Sequence, residues 1–305
     1  MTERDIASSQ LLTLRGVDHT ARPTWKLRET IEFYRDKLGL PLVHTISARG
    51  WGPATHPDFL HFFFDSGNGS TIAFFYYLGS DMPDAMQGRE YAAPVPEDHI
   101  TDATHTAWLV DSASELQAWK TKLEASGLKV SVETRHEVIE SIYVRDPNGY
   151  FIEFTRKLRP LGLVDSQDAE LTLKAALAAE DAAAIAGKRL SCIDDVWAAK
   201  ANMLDKKAPS PKNFGASGKT LGIYVPRVEE FSSLLQNAAL RDDCRFSVVG
   251  NYDLIEAEVT LQFDRRALGL KPAVWYGLFT GGVRGRIEKF DRDSVVISPA
   301  AKSSI

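Results

Sequence analysis

The stretch RHEVIESIYVRDPNGYFIEFT, residues 135–155, sets a carboxylate, Glu153, among Phe151, Ile152 and Phe154. An ionised carboxylate buried without a partner is costly, so the group has to be neutral, paired with a cation or bound to a metal. All seven histidines (His19, His44, His56, His61, His99, His105 and His136) fall within the first 136 residues. Imidazole is the side chain for proton transfer near neutral pH and a common metal ligand. Both chemistries therefore belong to the N-terminal half. The two cysteines, Cys192 and Cys244, lack CxxC spacing, so neither a disulfide framework nor a zinc ribbon is indicated.

The elements that must position these groups occur twice. GVDHTARP, the helical pattern LRETIEFYRDKLGL and strand-like LVHTISA, DFLHFFFD and STIAFFYY form a β-α-β-β-β order. DATHTAWLV, ASELQAWKTKLEASGL, KVSVET, IESIYVR and YFIEFT repeat it. The histidines of the two first strands, His19 and His105, are 86 residues apart, and each unit ends in an Asn-Gly turn, Asn68-Gly69 and Asn148-Gly149.

Two such units sharing a cleft resemble the vicinal oxygen chelate superfamily, the glyoxalase, bleomycin-resistance and extradiol-dioxygenase group, over residues 12 to 160. The resemblance implies an α+β fold in which paired βαβββ modules form a half-barrel cleft around a metal. Its ligands would be His19, His105 and Glu153. Alignment of GSTIAFF with GYFIEFT puts Ala73, which cannot bind a metal, at the fourth ligand position. Strand alternation agrees, because His105 shares a face with Ala103, Ala107 and Leu109, and Glu153 with Phe151 and Thr155. Two imidazoles and a carboxylate leave three adjacent positions open, which suits non-haem Fe(II) taking both a substrate and O2. Fe(II) is the metal expected, with Mn(II), Zn(II) and Ni(II) as alternatives. Taken singly, each histidine is more often an ordinary structural residue than a ligand.

The quoted stretch also resembles the extradiol ring-cleavage signature in His136, Ile142-Tyr143, Asp146-Pro147-Asn148-Gly149 and Glu153. By that resemblance His136 and Tyr143 hydrogen-bond substrate oxygens, and the activity is ring cleavage of a catecholic substrate by O2. Extradiol enzymes place an acid/base histidine before the last strand of the first module, where this chain has Ser70; His61, on the metal-facing side of its hairpin, could serve instead as acid/base or as a fourth ligand. A glyoxalase-I-type lyase or epimerase, generally needing four ligands, and a non-catalytic resistance-type binding protein are the competing readings. A three-residue loop at Pro147–Gly149 would set Tyr143 directly across from Glu153, whereas a four-residue loop would turn it to the other face.

The domains expected are a two-module domain at 1–160, a helical segment and linker at 161–218, and a C-terminal α+β domain at 219–305 whose element order fits a degenerate third module. SQDAELTLKAALAAEDAAAIAG and CIDDVWAAKANMLD read as a helix pair, with Asp194-Asp195 at a helix start, and KKAPSPKNFGASGK as a loop. A hydrophobic content of 44% is ordinary for a soluble globular protein, and a net charge of −5 without a basic run speaks against nucleic-acid or anionic-membrane partners. No apolar leader or membrane-length stretch occurs, so the expected location is the cytoplasm. The expected partners are a small-molecule substrate and O2, with a homo-oligomer allowed.

Overall fold

The structure, a computed structural model, describes residues 16–50, 55–92, 99–207 and 220–299. The loop expected at 206–219 lies outside the described residues from 208 onward. The chain forms two compact units, one of residues 1–133 and 141–156, the other of 134–140 and 157–305.

The first unit holds the first module and most of the second, whose residues 134–140 and 157 fall in the other unit. In the first, β1 (His19–Thr24) leads to helix α1 (Leu27–Ile31), then to β2 (Leu42–Ala48), β3 (Phe59–Gly67) and β4 (Ser70–Tyr77). A short helix α2 (His99–Asp102) precedes the second, formed by β5 (His105–Leu109), α3 (Ala113–Ala125), β6 (Thr134–Arg135), β7 (Ile139–Arg145) and β8 (Phe151–Lys157). In each module the first strand pairs parallel with the last, β1 with β4 and β5 with β8. Period-two alternation sorts the strands into two faces. Phe62, Phe64, Ile72 and Phe74 of one module and Ile142, Val144, Ile152 and Phe154 of the other join Phe33, Tyr34, Leu116 and Leu123 in a single core.

Two local features depart from regular elements. After α1 the helix winds on as a π-helix over Glu32–Lys37, with Leu38 N–H donating to Phe33 O, and this turn buries Phe33 and Tyr34. KVSVET, expected as a strand, is regular only at Thr134–Arg135. Although Ser131 N–H donates to Tyr143 O, the Tyr143 N–H donates to the Ser131 hydroxyl at 2.9 Å rather than to a main-chain carbonyl, which interrupts the ladder.

The turn between β7 and β8 has the three-residue form. Asp146 N–H donates to Tyr150 O and Gly149 N–H to Asp146 O, each at 2.9 Å. Gly149 takes φ 89°, and a Cβ there would lie 2.5 Å from Arg89 Cβ, so only glycine fits. The first module clamps this turn. Thr24 Oγ1 donates to Asn148 Oδ1 (2.8 Å), Asn148 Nδ2 to Thr30 Oγ1 (2.9 Å) and Tyr34 Oη to Asp146 Oδ2 (2.9 Å). All five residues are buried.

In the second unit, α4 (Leu163–Ile185) and α5 (Ile193–Asp205) precede β9 (Leu221–Pro226), α6 (Ser232–Ala238), β10 (Cys244–Val249), β11 (Tyr252–Ala257), β12 (Leu261–Asp264), α7 (Pro272–Tyr276), β13 (Val283–Arg284), β14 (Arg286–Phe290) and β15 (Ser294–Ser298). The helices belong to the same unit as these strands. Lys200 of α5, wholly buried, donates to Asp168 Oδ1, Thr172 Oγ1 and Thr280 O at 2.6–2.7 Å. Asp194 and Asp195 sit in the first turn of α5, where the helix dipole favours them. The element order fits a third module, but the pairing does not. β9 lies antiparallel to β11 and β13, and among the described residues no strand pairs parallel with it, whereas the modules need a parallel first and last strand. This unit is therefore α+β of another topology.

Candidate active site

Strand register makes the modules comparable residue by residue. Opposite β1, Ala21 pairs with Ala73; opposite β5, Ala107 pairs with Glu153. His19 and His105 thus occupy matching positions, as do Ala73 and Glu153. Phe63 faces Ala73 across its hairpin as Tyr143 faces Glu153, and by the same count His61 matches Ser141.

Three of the expected site residues come together in the second module. Glu153, 4% exposed, faces His105 with Oε2 2.9 Å from Nε2. Its other oxygen, Oε1, accepts a short hydrogen bond from the buried Ser141 hydroxyl and a longer one, 3.3 Å, from Tyr143 Oη. Ser141 Oγ also lies 3.0 Å from Thr155 Oγ1. Burial, reinforced by the charge of Glu153, pushes the Tyr143 phenol up to about 12, so it remains a proton donor at neutral pH. Its ring stacks on Phe151, with centroids 5.0 Å apart.

His105 Nδ1 lies 2.8 Å from the Asp102 carbonyl, which can only accept, so Nδ1 carries a proton and Nε2 is the atom turned toward Glu153. Two ligands about 2.1 Å from one cation and at right angles stand about 3.0 Å apart. The His105–Glu153 separation therefore fits neighbouring positions on a metal ion as well as it fits an ion pair. The Nδ1 bond to a carbonyl is the outer contact that metal-binding histidines usually make.

His19 is held differently. Its Nδ1 lies 2.7 Å from Asp18 Oδ1, again leaving Nε2 as the ligand atom, and its ring meets Phe63 edge-on at 5.9 Å. Among the described residues, no three His, Cys, Asp or Glu side chains form a group able to hold a metal. The structure therefore presents His105 and Glu153 as a pair and His19 as a separate side chain, anchored by Asp18. His61, 5% exposed, stacks on Phe75 at 3.6 Å, packs against Phe63 at 4.2 Å and has its Nδ1 3.1 Å from Phe74 O. Burial lowers its pKa, and the neighbouring His19 and His44 add to the effect. His136 lies in the 134–140 segment of the second unit, where its N–H donates to Ile139 O.

Ser141 and Asp18 were not singled out from the sequence. Both stood next to a recognised residue in the pattern. Asp18 precedes His19, and Ser141 lies two residues before Tyr143, hence on the same strand face.

Residues 16–154 match the family model of the Glyoxalase/Bleomycin resistance protein/Dioxygenase superfamily. Solved structures similar to it include a lactoylglutathione lyase from Agrobacterium tumefaciens (23% identity, TM-score 0.33, covering 47% of this chain and 95% of the other). A glyoxalase/dioxygenase from Nostoc punctiforme is 19% identical (TM-score 0.34, covering 52% and 100%). A glyoxylase/bleomycin resistance protein/dioxygenase domain from Frankia sp. is 16% identical (TM-score 0.35, covering 48% and 99%). No curated protein matches the sequence. No described helix is long and apolar enough to cross a membrane.

Proposed function

We propose that the first unit is a metal-dependent dioxygenase of the extradiol type, cleaving a catecholic ring next to its diol. The observation that carries this reading is the His105–Glu153 pair, an imidazole nitrogen and a buried carboxylate oxygen 2.9 Å apart. His105 and Glu153 would hold Fe(II), with His19 as the third ligand once its Nε2 turns to them. Bound there, the ion would supply Lewis acidity and a template for bringing a diol and O2 together.

The chain's own residues supply the remainder. Tyr143 keeps its proton and can exchange its 3.3 Å contact with Glu153 for a substrate oxygen. His61, held neutral by burial, presents Nε2 as a proton acceptor for a diol hydroxyl, since its Nδ1 donates to Phe74 O. Ala73, with no ligand atom, argues for three protein ligands rather than the four of a lyase.

The test is metal content followed by oxygen uptake. Protein purified anaerobically and reconstituted with Fe(II) should bind one equivalent, consume one O2 per catechol and place both oxygen atoms in a yellow ring-opened product. Turnover of a thiol adduct or a CoA ester without O2 would assign a lyase or isomerase instead. Tight binding of a small molecule without turnover or metal would assign a sequestering protein.

A further inference from the structure

The two oxygens of Glu153 have different surroundings. Oε1 receives the hydroxyls of Ser141 and Tyr143, and Oε2, among the described residues, faces His105 Nε2. Ser141 is wholly buried and lies 3.0 Å from Thr155 Oγ1, so its hydroxyl is fixed between a neighbour on β8 and the carboxylate. Tyr143 contacts Oε1 at 3.3 Å, and the Ser141 contact is much the shorter.

We propose that Ser141 is a positioning residue: its buried hydroxyl occupies Oε1 of Glu153, so that the carboxylate offers a cation shared with His105 one oxygen, Oε2, and not both. The proposal rests on the metal reading given above. A carboxylate free to pivot can chelate an ion through both oxygens and use two of its positions. One oxygen pinned by a hydroxyl keeps the carboxylate single-toothed and preserves an open position for substrate. Ser141 also frees Tyr143. When the phenol turns to a substrate oxygen, Oε1 retains a donor and Glu153 does not rotate. At the matching position of the first module stands His61, where the fourth strand offers Ala73 and no carboxylate needs holding.

The test uses Co(II) as probe on the full chain, with affinity by calorimetry and coordination by visible absorption. Ser141→Ala should weaken Co(II) binding by about 10–100-fold, the usual effect of losing an outer contact to a metal ligand. Its spectrum should shift toward higher coordination as Glu153 becomes two-toothed. Thr155→Val, which keeps the Ser141 hydroxyl, should stay near wild-type affinity with an unchanged spectrum. Far-ultraviolet dichroism of the metal-free variants separates loss of fold from loss of ligand. Wild-type affinity and spectrum in Ser141→Ala would overturn the proposal while leaving the metal reading intact. Equal loss in Thr155→Val would overturn it in favour of packing. Failure of wild-type protein to bind Co(II) would remove the metal reading and this proposal together.

Discussion

The inner face of the first module and that of the second have the same strand pairing and opposite chemistry. Around Glu153 the second module places Ser141, Tyr143, Thr155 and His105, all with oxygen or nitrogen to offer. The matching face of the first module places Phe63, Phe75 and His61 around Ala73, with His61 and Phe75 stacked at 3.6 Å and Phe75 and Tyr77 at 5.6 Å. One face is therefore polar around its carboxylate, and the other aromatic around an alanine. The backbone alone does not decide where chemistry occurs. Glu153 has hydroxyl donors on the neighbouring strand, Tyr143 directly across and Ser141 two residues further along, where the first module has Phe63 and His61.

That contrast can be broken most directly at the carboxylate. Glu153→Ala should lower metal affinity by more than about 1000-fold, equivalent to about 4 kcal/mol, with the dichroism spectrum retained; calorimetry with Fe(II) or Co(II) reads it. The reverse graft is next in size. Ala73→Glu puts a carboxylate at a wholly buried position walled by Phe63 and Phe75, without hydroxyl partners, and should cost about 3–5 kcal/mol in urea unfolding. A stable variant binding a second equivalent of metal would show that the modules are more alike than the contrast allows. Tyr143→Phe should reduce turnover about 10-fold, or about 1.4 kcal/mol, and spare metal affinity, because the phenol is the weaker of the two donors to Oε1. The smallest effect is in pH. Burial holds His61 below its ordinary value, so the unfolded chain takes up a proton that the folded chain refuses. Stability should be full above about pH 6.5 and decline as the pH falls through it. His61→Phe should flatten that decline in unfolding measured across the range.

Much of this face was legible in the sequence because it depends on short-range rules. Pro147 and Gly149 fix the turn, the turn fixes the register, and the register puts Tyr143 across from Glu153. The position of Ala73 followed from the two Asn-Gly turns in the same way. What escaped depended on side-chain and strand pairings that spacing does not specify. Ser131 looks like a strand residue, yet its hydroxyl takes the Tyr143 N–H and ends the ladder. The strand order of the second unit is not encoded in the order β-α-β-β, which permits either a parallel closing strand or the antiparallel β9–β11 pairing observed. The anchoring of His19 on Asp18 is a rotamer choice that spacing does not specify.

The clamp on the Asp146–Gly149 turn sets an order in time. Tyr34 finds its acceptor 112 residues later in the chain, and Thr24 finds its own 124 residues later. A nascent chain that has reached residue 133 has all the strands of the first module, and its Thr24 and Thr30 hydroxyls can meet each other, but Tyr34 Oη still lacks Asp146 and the two threonines still lack Asn148. Leaving such groups unpaired costs about 1–3 kcal/mol each, comparable to the whole stability of a small domain. The polar core of the first module is therefore completed only by the second, and the segment that completes it is the turn that also carries β8 and Glu153 into place. Folding and site assembly become one event, so a truncated chain lacking this turn should give neither a folded first module nor a partial site.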